Sequence, residues 1–539
     1  MSLQSNWREE IPEDTAVVGQ QILAEDNPYR LVGDRVNDFL RLEDFRAMYS
    51  EVGRGAICPI VLSLVILFQF LENVPDREAA ERAVARIDWK YALHMPLTWQ
   101  GFHYADLSNF RRRLLEHGAE RLVFERILEW ARSLGFIKRR GKQRSDSTHV
   151  LGRVERMSRL ELVWETMRVA LREIERAAPK WYGEVVPATF HDVYVDRHSD
   201  WRLSQEEVRK GMQKTGKDGF WLLDHLDASA PEKVLALPEV EVLREVWEQQ
   251  FTRRGGKVKV KSTPIKGKEV ICSPHDPQAR WAKKRSMQWV GYKIHVTETA
   301  EDDVKVQFIT DIAATAANDT DGEATGDIQT RLIERGLRPT EQYVDQGYIT
   351  GLNLARSAER GIELIGRSSL GGSTKPEGYR QKDFTLDLDA RRAVCPLGNE
   401  SQSWSERSAP EAPDDPERRE VKVTFGAACE ACSARSQCAP GKSGRSLNIS
   451  AFYDELSARR AEQETEQFKQ RLRRRSGVEG TIFGLTWCHG ARRARYRGQD
   501  KMHLQALFTG AAANLKRISR AARARRECQR RARPPTLEN

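Results

Sequence analysis

The chain has 539 residues, more than one ordinary hydrophobic core accommodates, and this length predicts two to four domains. Lys and Arg total 88 against 78 for Asp and Glu, and the formal charge of +10 favours a polyanionic partner. The most apolar run, residues 57–71, contains Ser63 and Gln69 and is too short to span a bilayer. It predicts a buried core helix, no membrane contact and, without a signal-peptide pattern, a cytoplasmic protein.

The first part of the chain has a helical pattern. Residues 1–34 form a polar N-terminal extension, and residues 35–140 predict a helical domain, because apolar residues recur at spacings of three and four. Arg111, Arg112 and Arg113 lie on one of these helices and are candidate contacts to DNA. The alternative is an ordinary solvated helix surface.

A strand pattern follows, with a helical block inside it. Residues 141–152 contain a short strand with Asp146, and residues 153–269 read as a helical insertion without a catalytic pattern. Residues 270–366 predict strands at 289–296, 304–311, 341–345 and 362–366, and helices at about 318–335 and 352–359. Asp345 closes the third of these strands, and Asn318 and Asp319 are expected to cap the first helix.

Residues 367–454 form a second insertion, rich in Gly, Ser, Pro and charge, and four cysteines cluster in it. Cys429 and Cys432 have the spacing of a zinc knuckle, and Cys438 and Cys395 could complete a tetrahedral set. In a reducing compartment such a cluster favours a structural zinc ion over disulfides, with free thiols or a redox pair as alternatives.

The C-terminal part is helical and strongly basic. Residues 455–516 continue the helical pattern, and residues 517–539 predict a basic tail that is disordered or only transiently helical. Trp487 and Tyr496 are expected to pack in the core, although either could stack on a base. Further candidate DNA contacts are Arg492, Arg493, Arg495, Arg497 and Lys501.

Three carboxylates could share one site. Asp146 and Asp345 stand at predicted strand ends, and Glu479 lies on a later helix. Taken alone, each has a plainer explanation: a turn or cap, a strand exit, a surface ion pair. Together on a basic chain they suit Mg²⁺ or Mn²⁺, which carboxylates bind during phosphoryl transfer on nucleic acid. His149 and His295 are expected to be core or hydrogen-bonded histidines.

Several short blocks resemble, in the same order, the DDE-class transposases of bacterial insertion sequences. The likeness is to the branch whose third block carries a Tyr-Arg-Glu-Lys signature. The blocks are Asp146-Ser-Thr-His, Gly291-Tyr-Lys-Ile-His-Val, Ala316-Ala-Asn-Asp, Val344-Asp345-Gln-Gly-Tyr348, Val478-Glu479-Gly480, Arg492-Arg-Ala-Arg-Tyr-Arg-Gly498 and Asn514-Leu-Lys-Arg517.

The resemblance implies an α/β fold: an RNase H-like mixed sheet, assembled from residues 141–152, 270–366 and 455–516, with a helical N-terminal domain and the two insertions. Asp146, Asp345 and Glu479 would be the catalytic, magnesium-binding triad, and Arg475 the signature arginine, able to contact DNA. Leu472 and Thr486 depart from the signature where tyrosine and lysine are expected. A similar cysteine-bearing insertion is frequent in such transposases.

The implied function is DNA cleavage followed by strand transfer. The implied partners are double-stranded DNA, as element ends and as target, and a second copy of the chain when two ends are paired, in association with the nucleoid. Three alternatives remain: a related nuclease without strand transfer, a catalytically inactive DNA-binding relic, and a zinc-dependent transcription regulator.

Overall fold

The structure, a computed structural model, describes residues 2–3, 7–195, 203–262, 267–370, 378–407, 420–439, 441 and 443–532. Among these residues, no single helix is long and apolar enough to cross a membrane. Two consecutive helices, Pro59–Glu72 and Asp76–Ala85, meet that length and composition only as a pair bent by 109°.

Seven helices form the N-terminal part of the fold. They are α1 (Glu13–Ile22), α2 (Pro28–Phe39), α3 (Pro59–Glu72), α4 (Asp76–Ala85), α5 (Ile87–Ala92), α6 (Ala105–Glu116) and α7 (Leu122–Ser133). Every residue of α3 from Pro59 to Phe70 is buried, so the predicted core helix is confirmed. The helical part begins earlier than predicted, because α2 packs Val32 and Val36 into the core.

The strand β1 (Gln143–Leu151) leads into the helical insertion. The insertion folds around its own apolar core, which includes Leu171, Leu226 and Trp247. Its elements are α8 (Arg159–Ala177), α9 (Pro179–Val185), α10 (Ala188–Phe190), α11 (Gln205–Ser229), α12 (Glu232–Leu235), α13 (Pro238–Gln250), β2 (Phe251–Arg254) and β3 (Lys257–Val260).

The central sheet is mixed. After the insertion come β4 (Arg280–Lys284), β5 (Met287–Thr299), β6 (Ile309–Ala316), β7 (Glu341–Tyr343) and β8 (Glu363–Ile365). The strand order is β4-β5-β1-β7-β8, and β6 also pairs with β5. β5 runs antiparallel to β1, β4 and β6, whereas β7 is parallel to both β1 and β8. This mixed sheet is compatible with an RNase H-like fold.

Two details of the sheet differ from the sequence prediction. β4 was not predicted, and β6 begins at Ile309 and not at residue 304. The side chain of Gln307 explains the later start, because it bonds the backbone of Glu301 and Val304 and closes a loop there. Gly291 marks where β1 and β5 come closest: a Cβ on it would lie 2.3 Å from the carbonyl oxygen of Val150.

Two helices follow β6 and β7: α14 (Asp321–Glu334) and α15 (Gly351–Glu359). The cap of α14 was predicted at Asn318 and Asp319, one or two positions too early. Thr320 is the N-cap and forms a capping box with Glu323, while the carboxylate of Asp319 accepts the N–H of Ala316. Threonine and aspartate both cap helices, so a run of such residues does not show which of them begins the helix.

The cysteine-bearing insertion is a small β-rich unit with its own core, built on Phe384, Val423, Phe425 and Ile449. Its elements are β9 (Thr385–Asp387), β10 (Arg392–Val394), β11 (Ser403–Arg407), β12 (Glu420–Thr424), α16 (Arg435–Cys438) and β13 (Ser446–Ser450). β11, β12 and β13 form one antiparallel sheet.

The chain ends in helices α17 (Tyr453–Glu462), α18 (Glu466–Leu472), α19 (Gly477–Cys488) and α20 (Gln499–Ala532), with a 3₁₀ turn, Arg473–Ser476, before α19. The prediction of a tail that is disordered or only transiently helical was wrong for residues 517–532, which continue α20. Ile518 is fully buried, and Ser519 donates a hydrogen bond to the carbonyl of Asp26. Residues 533–539 lie outside the described part of the chain.

The N-terminal helices and the central sheet share one hydrophobic core. α20 joins them, since it packs against α3, α7 and β6. Phe70 of α3 stacks on Phe508 of α20, with ring centroids 5.9 Å apart, and Phe136 stacks on Phe308 at 5.7 Å. The helical N-terminal part therefore supports the sheet on which the carboxylates lie.

Candidate active site

Asp146 lies on β1, and Asp345 follows the end of the neighbouring parallel strand β7. Arg144 of β1 is paired with Tyr343 of β7, which is the last pair of the two strands, and Asp146 and Asp345 each follow this pair by two residues. Neighbouring strands are about 4.8 Å apart, so the backbones of the two aspartates lie close together. Burial raises the pKa of Asp146, and the negative charge of Asp345 raises it further.

The position of Asp146 differs from the prediction in one respect. It lies in the middle of β1, not at its end, but its neighbour β7 stops at Tyr343. Asp146 therefore stands at the step in the sheet where its parallel neighbour ends. There Asp345 begins a 3₁₀ turn, and its carboxylate accepts the N–H of Gln346 at 2.7 Å.

Arg475 connects the third carboxylate to the first. From the 3₁₀ turn before α19, its Nη1 donates to Oδ2 of Asp146 at 3.1 Å and its Nη2 donates to Oε1 of Glu479 at 3.0 Å. The carboxylates of Asp146 and Glu479 are therefore separated by two hydrogen bonds and the width of one guanidinium. Glu479 faces solvent, with 63 % of its side chain exposed.

A buried polar network holds α19 against the sheet. Glu298 of β5 is fully buried; Oε1 accepts Nε of Arg144 at 2.7 Å, and Oε2 accepts Nη1 of Arg517 at 3.1 Å and the hydroxyl of Thr481. Gly477, the first residue of α19, allows this contact, because a Cβ on it would lie 2.0 Å from Nη1 of Arg144. Sequence reasoning missed this network; its one signal is a glutamate inside a buried strand.

The histidines beside the site are hydrogen-bonded, as predicted. His295 is buried, with its ring between the hydroxyls of Tyr348 at 2.9 Å and Thr315 at 3.1 Å. Burial lowers its pKa to about 4, so the ring is neutral near pH 7. Burial also lowers the pKa of His149 to about 4, and the positive charge of Arg492 contributes to this lowering.

A further aspartate, Asp321, lies on the opposite face of the sheet from Asp146. It accepts hydrogen bonds from the hydroxyl of Ser147 at 2.9 Å and from Nζ of Lys293 at 3.0 Å. These partners lower its pKa even though burial opposes them. Through these two hydrogen bonds, Asp321 contacts both β1, which carries Ser147, and β5, which carries Lys293.

The arginines predicted on α6 differ in exposure. Arg111 is buried, forms an ion pair with Asp76 and lies over the ring of Tyr496 at 4.9 Å, so it stabilises the core, contrary to the prediction of a DNA contact. Arg113 donates to the carbonyl of Met48. Arg112 is exposed and stays a candidate.

The second group of predicted DNA contacts, between Arg492 and Lys501, also contains both structural and exposed side chains. Arg492 donates to the carbonyl of His149 at 2.8 Å, and Arg495 donates to the carbonyl of Val74 at 2.7 Å, so both are structural. Arg493, Arg497 and Lys501 are exposed and stay candidate phosphate contacts.

Trp487 is 74 % exposed, so the prediction that it packs in the core was wrong. The helix α19 buries Val478, Thr481 and Leu485, and Trp487 lies on the other face.

The two residues that depart from the Tyr-Arg-Glu-Lys signature make contacts within the fold. Leu472 packs in the cluster of Tyr343, Ile365 and Phe468, and the hydroxyl of Thr486 donates to the carbonyl of Ile482.

The four cysteines of the insertion lie around one small cavity, lined also by Phe384 and Phe425. All four thiols are free. Burial raises the pKa of Cys438, and the neighbouring thiols at Cys429, Cys395 and Cys432 raise it further. Backbone N–H groups donate to two of the sulfurs: that of Asn399 to Cys395 and that of Arg445 to Cys429.

No group of three or more His, Cys, Asp or Glu side chains is arranged to hold a metal ion in the residues that the structure describes. At the candidate active site, the guanidinium of Arg475 lies between the carboxylates of Asp146 and Glu479, in the space that a metal ion would need. The donor chemistry nevertheless fits a hard divalent cation: three carboxylates, two of which repel each other. A metal would replace Arg475 as the central positive charge.

The competition between Arg475 and a metal gives a testable result. We expect Arg475→Ala to bind Mn²⁺ about fivefold more tightly without DNA, because the half-exposed ion pairs that it removes are worth about 1 kcal/mol. Titration of Mn²⁺ followed by electron paramagnetic resonance measures this affinity. Arg475→Lys, which keeps the charge, should resemble the parent protein, and an unchanged affinity in Arg475→Ala would rule out the competition.

Two family models match the chain. Transposase DDE domain matches residues 394–519, which contain the cysteine cluster, Arg475 and Glu479. Transposase domain (DUF772) matches residues 17–113, from α1 into α6. Asp146 and Asp345 lie outside both matches, and no curated protein or solved structure matches the chain significantly. The two family matches indicate a DDE transposase of the insertion-sequence type.

Proposed function

We propose that this protein cleaves DNA at the ends of a mobile element and joins the freed ends to target DNA. One observation carries the proposal: Asp345 is close enough to Asp146 to raise its pKa, and Arg475 links Asp146 to Glu479 on α19. This arrangement supports a shared site for three carboxylates that lie more than a hundred residues apart in the sequence.

The proposed reaction has two steps of the same kind. First, the oxygen of a water molecule bonds to the phosphorus at the element end and loses a proton to solvent, while the P–O3′ bond breaks and the departing 3′ oxygen takes up a proton from solvent. The oxygen of the freed 3′-OH then loses its proton and bonds to a phosphorus of the target DNA, while the target's own 3′ oxygen leaves and takes up a proton. Both are in-line phosphoryl displacements, so one site can serve both steps.

Asp146, Asp345 and Glu479 would hold Mg²⁺ or Mn²⁺. The ions would supply positive charge against the attacking and leaving oxygens. The chain's own contribution is placement. The network of Glu298, Arg144, Arg517 and Thr481 fixes α19 and hence the backbone of Glu479.

DNA is the proposed partner, as element ends and as target. Exposed basic side chains near the site, those of Arg493, Arg497 and Lys501, would contact phosphates, and Arg475 would turn to a phosphate once a metal replaces it. Two element ends must be held together, so we propose that two copies of the chain act as a dimer on paired ends.

The test uses purified protein and a DNA fragment that carries the element's ends. With Mg²⁺ or Mn²⁺ we expect nicked ends and joined product, and with EDTA we expect binding without cleavage. Cleaved ends that are never joined would instead indicate a nuclease. Binding without cleavage in either metal would indicate an inactive relic or a regulator.

For the cysteine cluster we propose a structural zinc ion held by Cys395, Cys429, Cys432 and Cys438. The support is that all four line one cavity and that the other three thiols, in addition to burial, raise the pKa of Cys438. Such a closed site has no free coordination position, so its role would be to stabilise the small β-rich unit.

We expect about one zinc ion per chain by mass spectrometry of the metals, falling several-fold in Cys432→Ser because three thiolates hold zinc less tightly than four. Cys488→Ser, which changes an exposed cysteine outside the cluster, is the matched control. Purified protein without zinc that also gains none when zinc is added would contradict the proposal.

A further inference from the structure

Two aromatic side chains project into solvent from α19, beside the candidate active site. Trp487 is 74 % exposed and Phe483 is 62 % exposed; of the aromatic side chains that the structure describes, Tyr104 comes next at 37 %. Their ring centroids are 5.8 Å apart and the rings are tilted by 33°. Large rings left in water as a pair mark a surface that contacts a partner. We call this pair the aromatic platform.

The platform lies on the same side of α19 as Glu479. Phe483 follows Glu479 by four residues and Trp487 by eight, which places them about 6 and 12 Å farther along the helix axis. Gly480 and Gly484 flank the rings, and a Cβ on either glycine would meet no atom within 4 Å. The surface from Glu479 to Trp487 is therefore open and continuous.

Positive charge lies near the end of this surface that is beside Asp146. Lys284 of β4 is close enough to Asp146 and His149 for its charge to act on the pKa of both in the lowering direction. Its neighbours Lys283 and Arg285 are exposed, as is Arg473 in the turn before α19. A second copy of the chain that met this face about a twofold axis would bring like charges together. A nucleic-acid strand would bring phosphates to the charges and bases to the rings.

We propose that the aromatic platform binds an unpaired base of the DNA strand held in the active site, by stacking. The inference rests on the proposed function, because it assigns part of the same substrate to a further surface. Every base has an aromatic face, so the contact would be insensitive to sequence. At roughly 3.4 Å per nucleotide, the stacked base would be on the order of two to four nucleotides from the reacting phosphate.

The test measures binding without catalysis. The probes are a short blunt duplex and the same duplex with an unpaired 3′ tail of about five nucleotides that contains 2-aminopurine, a fluorescent base. In EDTA we expect the parent protein to prefer the tailed duplex and to quench the 2-aminopurine. Trp487→Ala should reduce that preference about tenfold and remove the quenching, since each stacked base contributes strongly to affinity. Trp487→Phe should retain most of both.

Tyr104→Ala, an exposed aromatic on another surface, is the matched control and should change neither signal. Thermal unfolding of each variant checks the fold, which changes at exposed rings should leave intact. An unchanged tail preference in Trp487→Ala, or a change in oligomeric state without a change in tail preference, would overturn the platform. If cleavage fails in every metal while the tail preference depends on Trp487, the proposed function fails and the platform stands.

Discussion

Asp345→Asn should abolish DNA cleavage while DNA binding persists. The substitution keeps the shape of the side chain and its contact with the N–H of Gln346, but it removes the negative charge that raises the pKa of Asp146. Loss of one carboxylate from a site whose members act as a unit costs at least about 10³-fold in rate. The initial rate of strand cleavage in Mg²⁺, with the DNA prebound, measures the effect.

The matched control for this prediction is Asp302→Asn. Asp302 is an exposed aspartate, 63 % accessible, that pairs with Arg474 next to the turn of Arg475. We expect its variant to cleave within a few-fold of the parent protein, since exposed ion pairs contribute little. Cleavage by Asp345→Asn at more than a tenth of the parental rate would remove Asp345 from the triad.

Asp311→Ala should cause the largest loss of stability. Asp311 of β6 is buried and accepts hydrogen bonds from Arg121 at 3.1 Å, from Nη2 of Arg331 at 2.7 Å and from Arg335 at 2.8 Å. Arg121 precedes α7, and the other two lie on or just after α14, so one carboxylate joins the helical part to the sheet. Removal leaves three guanidinium groups without their anion, at a cost of about 3–5 kcal/mol.

Thermal unfolding measures this loss, and we expect the midpoint to fall by about 5–10 °C. The matched control is Asp227→Ala, which breaks an exposed pair with Arg244 and should cost less than about 1 kcal/mol. An Asp311→Ala midpoint within 2 °C of the control would contradict the structural role.

The same carboxylate gives a pH dependence. Burial alone would raise the pKa of Asp311, but hydrogen bonds and charge from Arg331, Arg335 and Arg121 outweigh it and hold the pKa at about 2, below the usual 3.8. A lowered pKa means that the stabilisation is present above about pH 4 and is lost as the pH falls towards 2. Asp311→Asn should therefore lose less stability than the parent protein across that interval.

The sequence predicted what local patterns control. Alternation and spacing revealed the buried helix α3 and most strands of the sheet, including the one that precedes Asp345. The resemblance supplied the order of the carboxylate blocks, and the matched families support the transposase class. The pairing of β1 with β7 is a long-range contact that no local pattern reveals.

What the sequence could not supply depends on tertiary packing. Arg111 and Arg112 are neighbours on one helix, yet one is buried against Asp76 and the other is exposed. The tail was predicted to be disordered because arginine dominates it, but Ile518 and Arg517 anchor it to the core and to Glu298. Trp487 was predicted to be buried because aromatic residues usually are, and its exposure became the basis of a proposed contact.

A shared metal site at Asp146, Asp345 and Glu479 can be tested by metal-directed cleavage of the polypeptide. Fe²⁺ in place of Mg²⁺, with ascorbate and peroxide, generates hydroxyl radicals that cut the polypeptide close to the bound ion. We expect cuts near residues 146, 345 and 479 in one sample, all three lost together in Asp345→Asn. Cuts confined to one of these regions, or unchanged in Asp345→Asn, would contradict a shared site.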